Sequence, residues 1–128
     1  MTGFNGNIED LTQKNTYFRQ VIFTGKYTQL VLMCLKPGED IGSEVHNNVD
    51  QFFRFESGSG KVNIDNDEYD VKDGDAIIVP AGSQHNITNI SDSEDLKLYT
   101  LYSPPNHPEE TVHATRDEAV EAEEHEHH

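Results

Sequence analysis

The sequence predicts an all-β protein, a β-sandwich or barrel with short helical segments at its ends. Three observations carry this. Turn signals recur at short intervals: Pro37-Gly38, Gly58-Ser-Gly60, Asp65-Asn-Asp67, Asp73-Gly74, Pro80-Ala-Gly82 and Ser91-Asp-Ser93. The runs between them are rich in β-branched and aromatic residues. Helical signal is confined to the two ends of the chain.

The elements follow in order. Asn7 to Gln13 forms a short leading turn or helix. Strands are expected near 17–23, 28–35, 42–46, 51–56, 61–65, 68–72, 75–79, 85–90 and 96–102. Lys61–Asp65 and Glu68–Lys72 flank an acidic turn and alternate in polarity, as a hairpin does. Beyond them, Tyr102-Ser-Pro-Pro-Asn-His107-Pro cannot continue a central strand, because proline lacks the ladder donor. That tail must leave the barrel, either to cross its mouth or to clasp a neighbouring subunit. Thr115-Arg-Asp-Glu118 has the form of a capping box and starts a last helix with few apolar anchors. One domain is therefore expected over 1–114, followed by an acidic end over 115–128 that frays.

Charge narrows the function. The net charge is −15, and residues 109–128 hold eight acids against the single base Arg116. No basic stripe is available for phosphates, which argues against nucleic acid and against an anionic membrane surface. The most apolar run, Gln29–Leu35, is too short to cross a bilayer. A lone cysteine, Cys34, sits in that run as a core residue and fits a reducing compartment. With no basic, apolar leader at the N-terminus, a cytoplasmic location is expected.

Two segments carry the chemistry. In the first, Gly38, Glu44, His46, Gln51 and Gly58 stand in order; in the second, Gly74, Pro80, Gly82, His85 and Asn89 do. Glu44 and His46 are two apart, so in one strand both face the same side, and Gln51, Phe53 and Phe55 share a face on the next. These segments resemble the two signature motifs of the cupin superfamily, small double-stranded β-helix (jelly-roll) barrels. The second segment fits at every named position. The first departs at Glu44, where most cupins have histidine, and at Gln51, where they have glutamate.

The resemblance implies a metal site made of Glu44, His46, Gln51 and His85. The carboxylate has moved rather than vanished, so the set keeps one negative charge, and Gln51 can ligate through its carbonyl oxygen. Exchanging an imidazole for oxygen favours Mn²⁺ or Fe²⁺, with Zn²⁺ or Ni²⁺ also accommodated. Glu44 is the candidate proton-moving residue, and Phe53 the candidate substrate-binding residue. The tail and the run Asp50–Arg54 are similar to small bacterial cupins of the mannose-6-phosphate isomerase-like type, a label that reflects barrel similarity. Three readings follow: a metal-dependent isomerase- or lyase-type enzyme on a carbohydrate or sugar acid, an Fe²⁺ dioxygenase, or a non-catalytic binding protein. Partners are a small molecule and a second copy in a homodimer, whose strand exchange would cover open edges.

The remaining candidates receive structural readings. Arg54, of opposite parity to Gln51, should point away from the pocket. Tyr99 and Tyr102, three apart on one strand, cannot both face inward and are read as packing. His107 and His113 are read as surface residues rather than a lid, and His125, His127 and His128 receive no function.

Overall fold

Asn7 accepts the Asp10 amide on its side-chain oxygen at 3.0 Å, which caps helix α1 (Ile8–Lys14). The computed structural model describes residues 2–126; Met1, His127 and His128, and the side chains of Glu124, His125 and Glu126, lie outside the described residues. Ten strands follow α1: β1 (Arg19–Thr24), β2 (Gln29–Leu35), β3 (Glu44–Val45), β4 (Asp50–Ser57), β5 (Ser59–Ile64), β6 (Asp67–Lys72), β7 (Ala76–Val79), β8 (Gln84–Asn89), β9 (Leu96–Ser103) and β10 (Val112–His113). Helix α2 (Arg116–Glu126) closes the order.

The strands form two antiparallel sheets, one of six in the order β10-β1-β2-β9-β4-β7 and one of four in the order β3-β8-β5-β6. Inward residues from both sheets make one core, with Val31, Phe53, Phe55, Val62, Ile87, Leu96 and Leu98 fully buried. The period-2 pattern is clear in β4, where Gln51, Phe53 and Phe55 are buried while Phe52 and Arg54 are half-exposed. Each buried phenylalanine contributes on the order of 2–3 kcal/mol relative to an exposed one. Strand β2 is buried along its whole length, and α1 packs across it and across β9. Cys34 lies there, and its thiol is pushed up to about 11, chiefly by burial. That is the chemistry of a core residue.

Two expectations change. The strand expected at 42–46 is only Glu44–Val45, because Gly42 takes a positive φ of 86° and breaks the extended run before it. The tail adds a strand the sequence did not announce. It turns after Ser103, crosses the barrel mouth and returns as β10, whose His113 and Val112 pair with Arg19 and Gln20 of β1.

The crossing is held by one buried amide. Gln29 Oε1 accepts from the backbone N–H groups of Asn106 and His107 at 3.1 and 3.0 Å. Its Nε2 donates to the His107 carbonyl at 2.8 Å and to Thr24 at 3.0 Å. Helix α2 starts on Thr115, whose hydroxyl accepts the Glu118 amide at 3.2 Å, while the Glu118 carboxylate reaches back to the Ala114 amide at 2.6 Å. The box therefore closes one residue earlier than the simple pattern. Arg116 fixes α2 to the barrel through the carbonyl and carboxylate of Asp40, at 2.7 and 2.8 Å.

Candidate metal centre

The two sequence motifs meet through backbone contacts. Gly82, at a φ of 91° in the turn after Pro80, donates its N–H to the His46 carbonyl at 2.8 Å. The Ala81 amide reaches the Asp50 carboxylate at 2.9 Å, and Glu44 pairs across the sheet with His85. A left-handed residue is needed where this turn reverses, which is why glycine stands there. The result is a cluster in which ligand atoms of Glu44, His46 and His85 all lie within 4.8 Å of one another. That group could hold a metal ion.

The tautomer of His85 follows from its surroundings. Its Nδ1 lies 3.3 Å from the Ser83 carbonyl, which can only accept, so Nδ1 carries the proton. The lone pair then sits on Nε2, which is buried and has no hydrogen-bond partner among the described residues. An imidazole oriented by a carbonyl behind it, with its free nitrogen turned inward, is the arrangement of a metal ligand. Burial also holds His85 below its usual range, as neutral imidazole. His46 Nε2 lies 3.0 Å from Glu44 Oε2.

Gln51 is 2% exposed and donates Nε2 to the Thr100 hydroxyl at 3.0 Å. Its Oε1 is left buried without a partner among the described residues. The donor chemistry fits a cation: Glu44, His46 and His85 form one cluster, and two buried acceptor atoms, His85 Nε2 and Gln51 Oε1, have no hydrogen-bond partner among the described residues. Phe53 has no exposed surface, and its ring packs 6.1 Å from that of His85 as the wall behind it. Arg54 turns away, its Nε 3.4 Å from the Glu56 carboxylate.

Aromatic rings continue from the cluster to the rim. His46 lies 5.5 Å from His85 and meets the edge of Tyr102 at 5.9 Å; Tyr102 in turn meets His107 at 5.1 Å. Tyr102 is buried in this row, whereas Tyr99 stacks on the outer face against Phe52. The surface reading of His107 is thus corrected, because Gln29 clamps its backbone and its Nε2 lies 3.3 Å from the Tyr102 hydroxyl. Above the cluster opens a polar pocket of about 430 Å³, lined by Ser43, Glu44, Val45, His46, Asn106, His107 and Glu123. A concavity of about 470 Å³ lies elsewhere, on the outside of β1, and is lined by no histidine or cysteine.

The rim makes stability depend on acid. Burial first, then Arg19, His113 and His46, pushes His107 from 6.5 down to about 3. In the unfolded chain His107 takes a proton below pH 6.5, while in the fold it stays neutral down to about 3. Unfolding therefore takes up a proton in that window, and the stability present above it is lost as pH falls through it. This one group gives a slope approaching about 1.4 kcal/mol per pH unit. Urea unfolding of EDTA-treated protein at pH 7 and pH 5 is expected to show the loss, and His107→Gln to reduce it.

Arg19 and Glu123 escape pattern reading, since an arginine inside a strand and a glutamate in an acidic helix read as surface. Period 2 carries the one available hint: Arg19 shares parity with Val21.

Comparison with known proteins agrees with this architecture. Residues 31–102 match the family model described as Cupin domain. The chain is 49% identical over 123 residues to the uncharacterized protein YrkC of Bacillus subtilis, covering 91% of this chain and 66% of YrkC, just under two thirds of that relative's length. It is 42% identical to the uncharacterized protein L612 of Acanthamoeba polyphaga mimivirus, covering 88% of this chain and 72% of L612. Among solved structures, BH2720 from Bacillus halodurans superposes with a TM-score of 0.91 at 42% identity, covering 94% of this chain and 95% of that one.

Proposed function

The chain belongs to the cupin family, and from that premise we propose that the pocket is a working metal centre. Glu44, His46, His85 and the Gln51 carbonyl hold one divalent cation. The site then serves an isomerase- or lyase-type reaction on a small polar metabolite, a carbohydrate or sugar acid. One observation supports the cation above the rest: His85 Nε2 and Gln51 Oε1 are buried without partners among the described residues. Leaving such atoms bare costs about 1–3 kcal/mol each, a cost that coordination relieves.

Two imidazoles with two oxygens favour Mn²⁺ or Fe²⁺, with Zn²⁺ and Ni²⁺ as the next fits. When bound, the cation supplies Lewis acidity toward a carbonyl or hydroxyl oxygen. Glu44 brings the one formal negative charge of the set, and a carboxylate has a second oxygen with which to move a proton. His46 Nε2 lies 3.0 Å from its Oε2, so the two groups converge on one point. Phe53 keeps the His85 imidazole in place and water away from its rear face. The small volume and polar lining of the pocket suit a metabolite rather than a polymer.

Metal analysis of protein purified without a histidine-affinity step tests this reading. Close to one equivalent of Mn or Fe is expected, and less than about a tenth of an equivalent would sink it, since a preformed site retains its ion. Oxygen uptake with candidate substrates would instead favour a dioxygenase. Thermal stabilisation by sugars without turnover would favour a binding protein.

We extend the proposal to a homodimer in the cytoplasm. The apolar outer face supports pairing: Ile78 on the edge strand β7 is 66% exposed, beside the Phe52–Tyr99 stack. Light scattering should then give twice the 14.5 kDa of one chain. No helix among the described residues is long and apolar enough to cross a membrane.

A further inference from the structure

We propose that His107 is the substrate-positioning residue of this pocket: its ring donates Nδ1–H to an oxygen of an uncharged, polyhydroxylated guest. The inference rests on the site reading above and narrows its substrate class from carbohydrate or sugar acid to neutral sugar or polyol.

A chain of hydrogen bonds decides which ring nitrogen carries the proton. Tyr102 is 1% exposed, and burial pushes its phenol up, so the hydroxyl keeps its proton and needs an acceptor for it. Among the described residues, the acceptor within reach is His107 Nε2, at 3.3 Å. Gln51, opposite Tyr102 across β4 and β9, hydrogen-bonds to the same hydroxyl; its Oε1 is bare, so it does so as a donor. The phenol oxygen thus accepts from Gln51 and gives its own proton to His107. A proton on Nε2 would leave the buried O–H without an acceptor among the described residues. Burial also pushes His107 down to about 3, so the ring is neutral and its one proton sits on Nδ1.

The donor is held where a guest would meet it. Gln29 fixes the His107 backbone N–H and carbonyl at 3.0 and 2.8 Å, and the Tyr102 ring meets the imidazole edge-on at 5.1 Å. Nε2 faces buried Tyr102, so Nδ1, across the ring, is turned the other way. It bonds to none of the described residues and is not a buried atom, while His107 lines the pocket beside Glu44 and His46. A donor with its backbone clamped and its tautomer set is organised before the guest arrives.

The lining selects for charge. It contains the acids Glu44 and Glu123 and no lysine or arginine. A carboxylate or phosphate on the guest would find no cationic side chain in the wall to offset its lost hydration. A hydroxyl both accepts and donates, so a polyol can take the His107 proton donor and still give to the oxygens of Ser43 and Asn106.

The test is ¹H–¹⁵N spectroscopy of the histidine rings in the full chain, EDTA-treated and Zn²⁺-loaded, titrated with D-glucose, D-fructose and D-glucuronate. His107 is expected as the Nδ1–H tautomer in both metal states. Glucose or fructose should shift its Nδ1 resonance saturably in the Zn²⁺-loaded chain, and glucuronate should bind about tenfold more weakly than the better sugar. His107→Ala should weaken that sugar by at least about fivefold in calorimetry, with Zn²⁺ uptake unchanged. It should fold, because Gln29 holds the backbone at 107 and not the ring. Should it not fold, the wild-type tautomer and the Nδ1 shift decide.

The inference is overturned if wild-type His107 carries its proton on Nε2, or if folded His107→Ala keeps the wild-type sugar affinity. It is equally overturned if glucuronate binds as tightly as the better sugar, or if neither sugar binds in either metal state. Failure of Zn²⁺ uptake with the Nδ1 response intact would count against the metal reading alone. Zn²⁺ uptake without an Nδ1 response would count against this inference alone.

Discussion

His85→Ala is expected to lower metal affinity by at least about a hundredfold while leaving the barrel folded. Of the proposed ligands, His85 is the one whose lone pair is fully committed inward: its Nδ1–H is held by the Ser83 carbonyl and its Nε2 is bare. Alanine removes an inward donor that no neighbour replaces. It also opens a space beside Phe53, whose ring packs on the imidazole, so a loss of about 1–2 kcal/mol in stability accompanies the change. Gln51→Ala should weaken binding less, because a carbonyl oxygen is a poorer ligand than an imidazole, and Gln51→Glu should strengthen it by adding charge. Metal content after dialysis against a competing chelator reads all three. If His85→Ala and Gln51→Ala both keep full metal content, the ligand set is wrong.

Gly58→Ala is expected to cost about 3 kcal/mol or more and to leave little folded protein under mild denaturant. Gly58 adopts a φ of 92°, a region that side chains rarely enter. A Cβ there would lie 2.5 Å from the Asp95 carbonyl oxygen and 3.1 Å from the Leu96 Cα. Both obstacles are backbone at the start of β9, the strand that joins β2 to β4 at the centre of the six-stranded sheet. Neither can move without disturbing that ladder. Gly38→Ala meets no atom within 4 Å and bears only the backbone penalty, so it should cost less than Gly58→Ala. The contrast in urea midpoints separates steric clash from backbone strain.

Much of the fold was legible because its signals are local. Recurring turn residues and the β-branched runs between them place the strands to within a few residues. The two motifs bring a likeness to a known barrel, and the structure explains why their small residues are there. Asn89, for instance, donates to the carbonyls of Leu35 and Glu94 and accepts the Ser91 amide, tying three segments with one side chain. Glu44, His46 and His85, three of the four residues that the resemblance implied as ligands, come together in one cluster.

What escaped reading depends on contacts between distant segments. His107 looks like a surface residue until Gln29, 78 positions away, is seen to hold its backbone. Parity alone shows that Tyr99 and Tyr102 face opposite ways, but not which of them faces in. The register of β9 against β4, with Tyr102 opposite Gln51, decides that. Arg19 was overlooked because a buried cation is read from its surroundings, and these come from β10 and α2.

The amide of Gln29 has a kinetic consequence. Since it clamps Asn106 and His107 at once, the rim cannot loosen residue by residue; it releases as a unit when that one side chain lets go. A residue buried in β2, outside the proposed ligand set, is thus what holds the tail segment that walls the pocket.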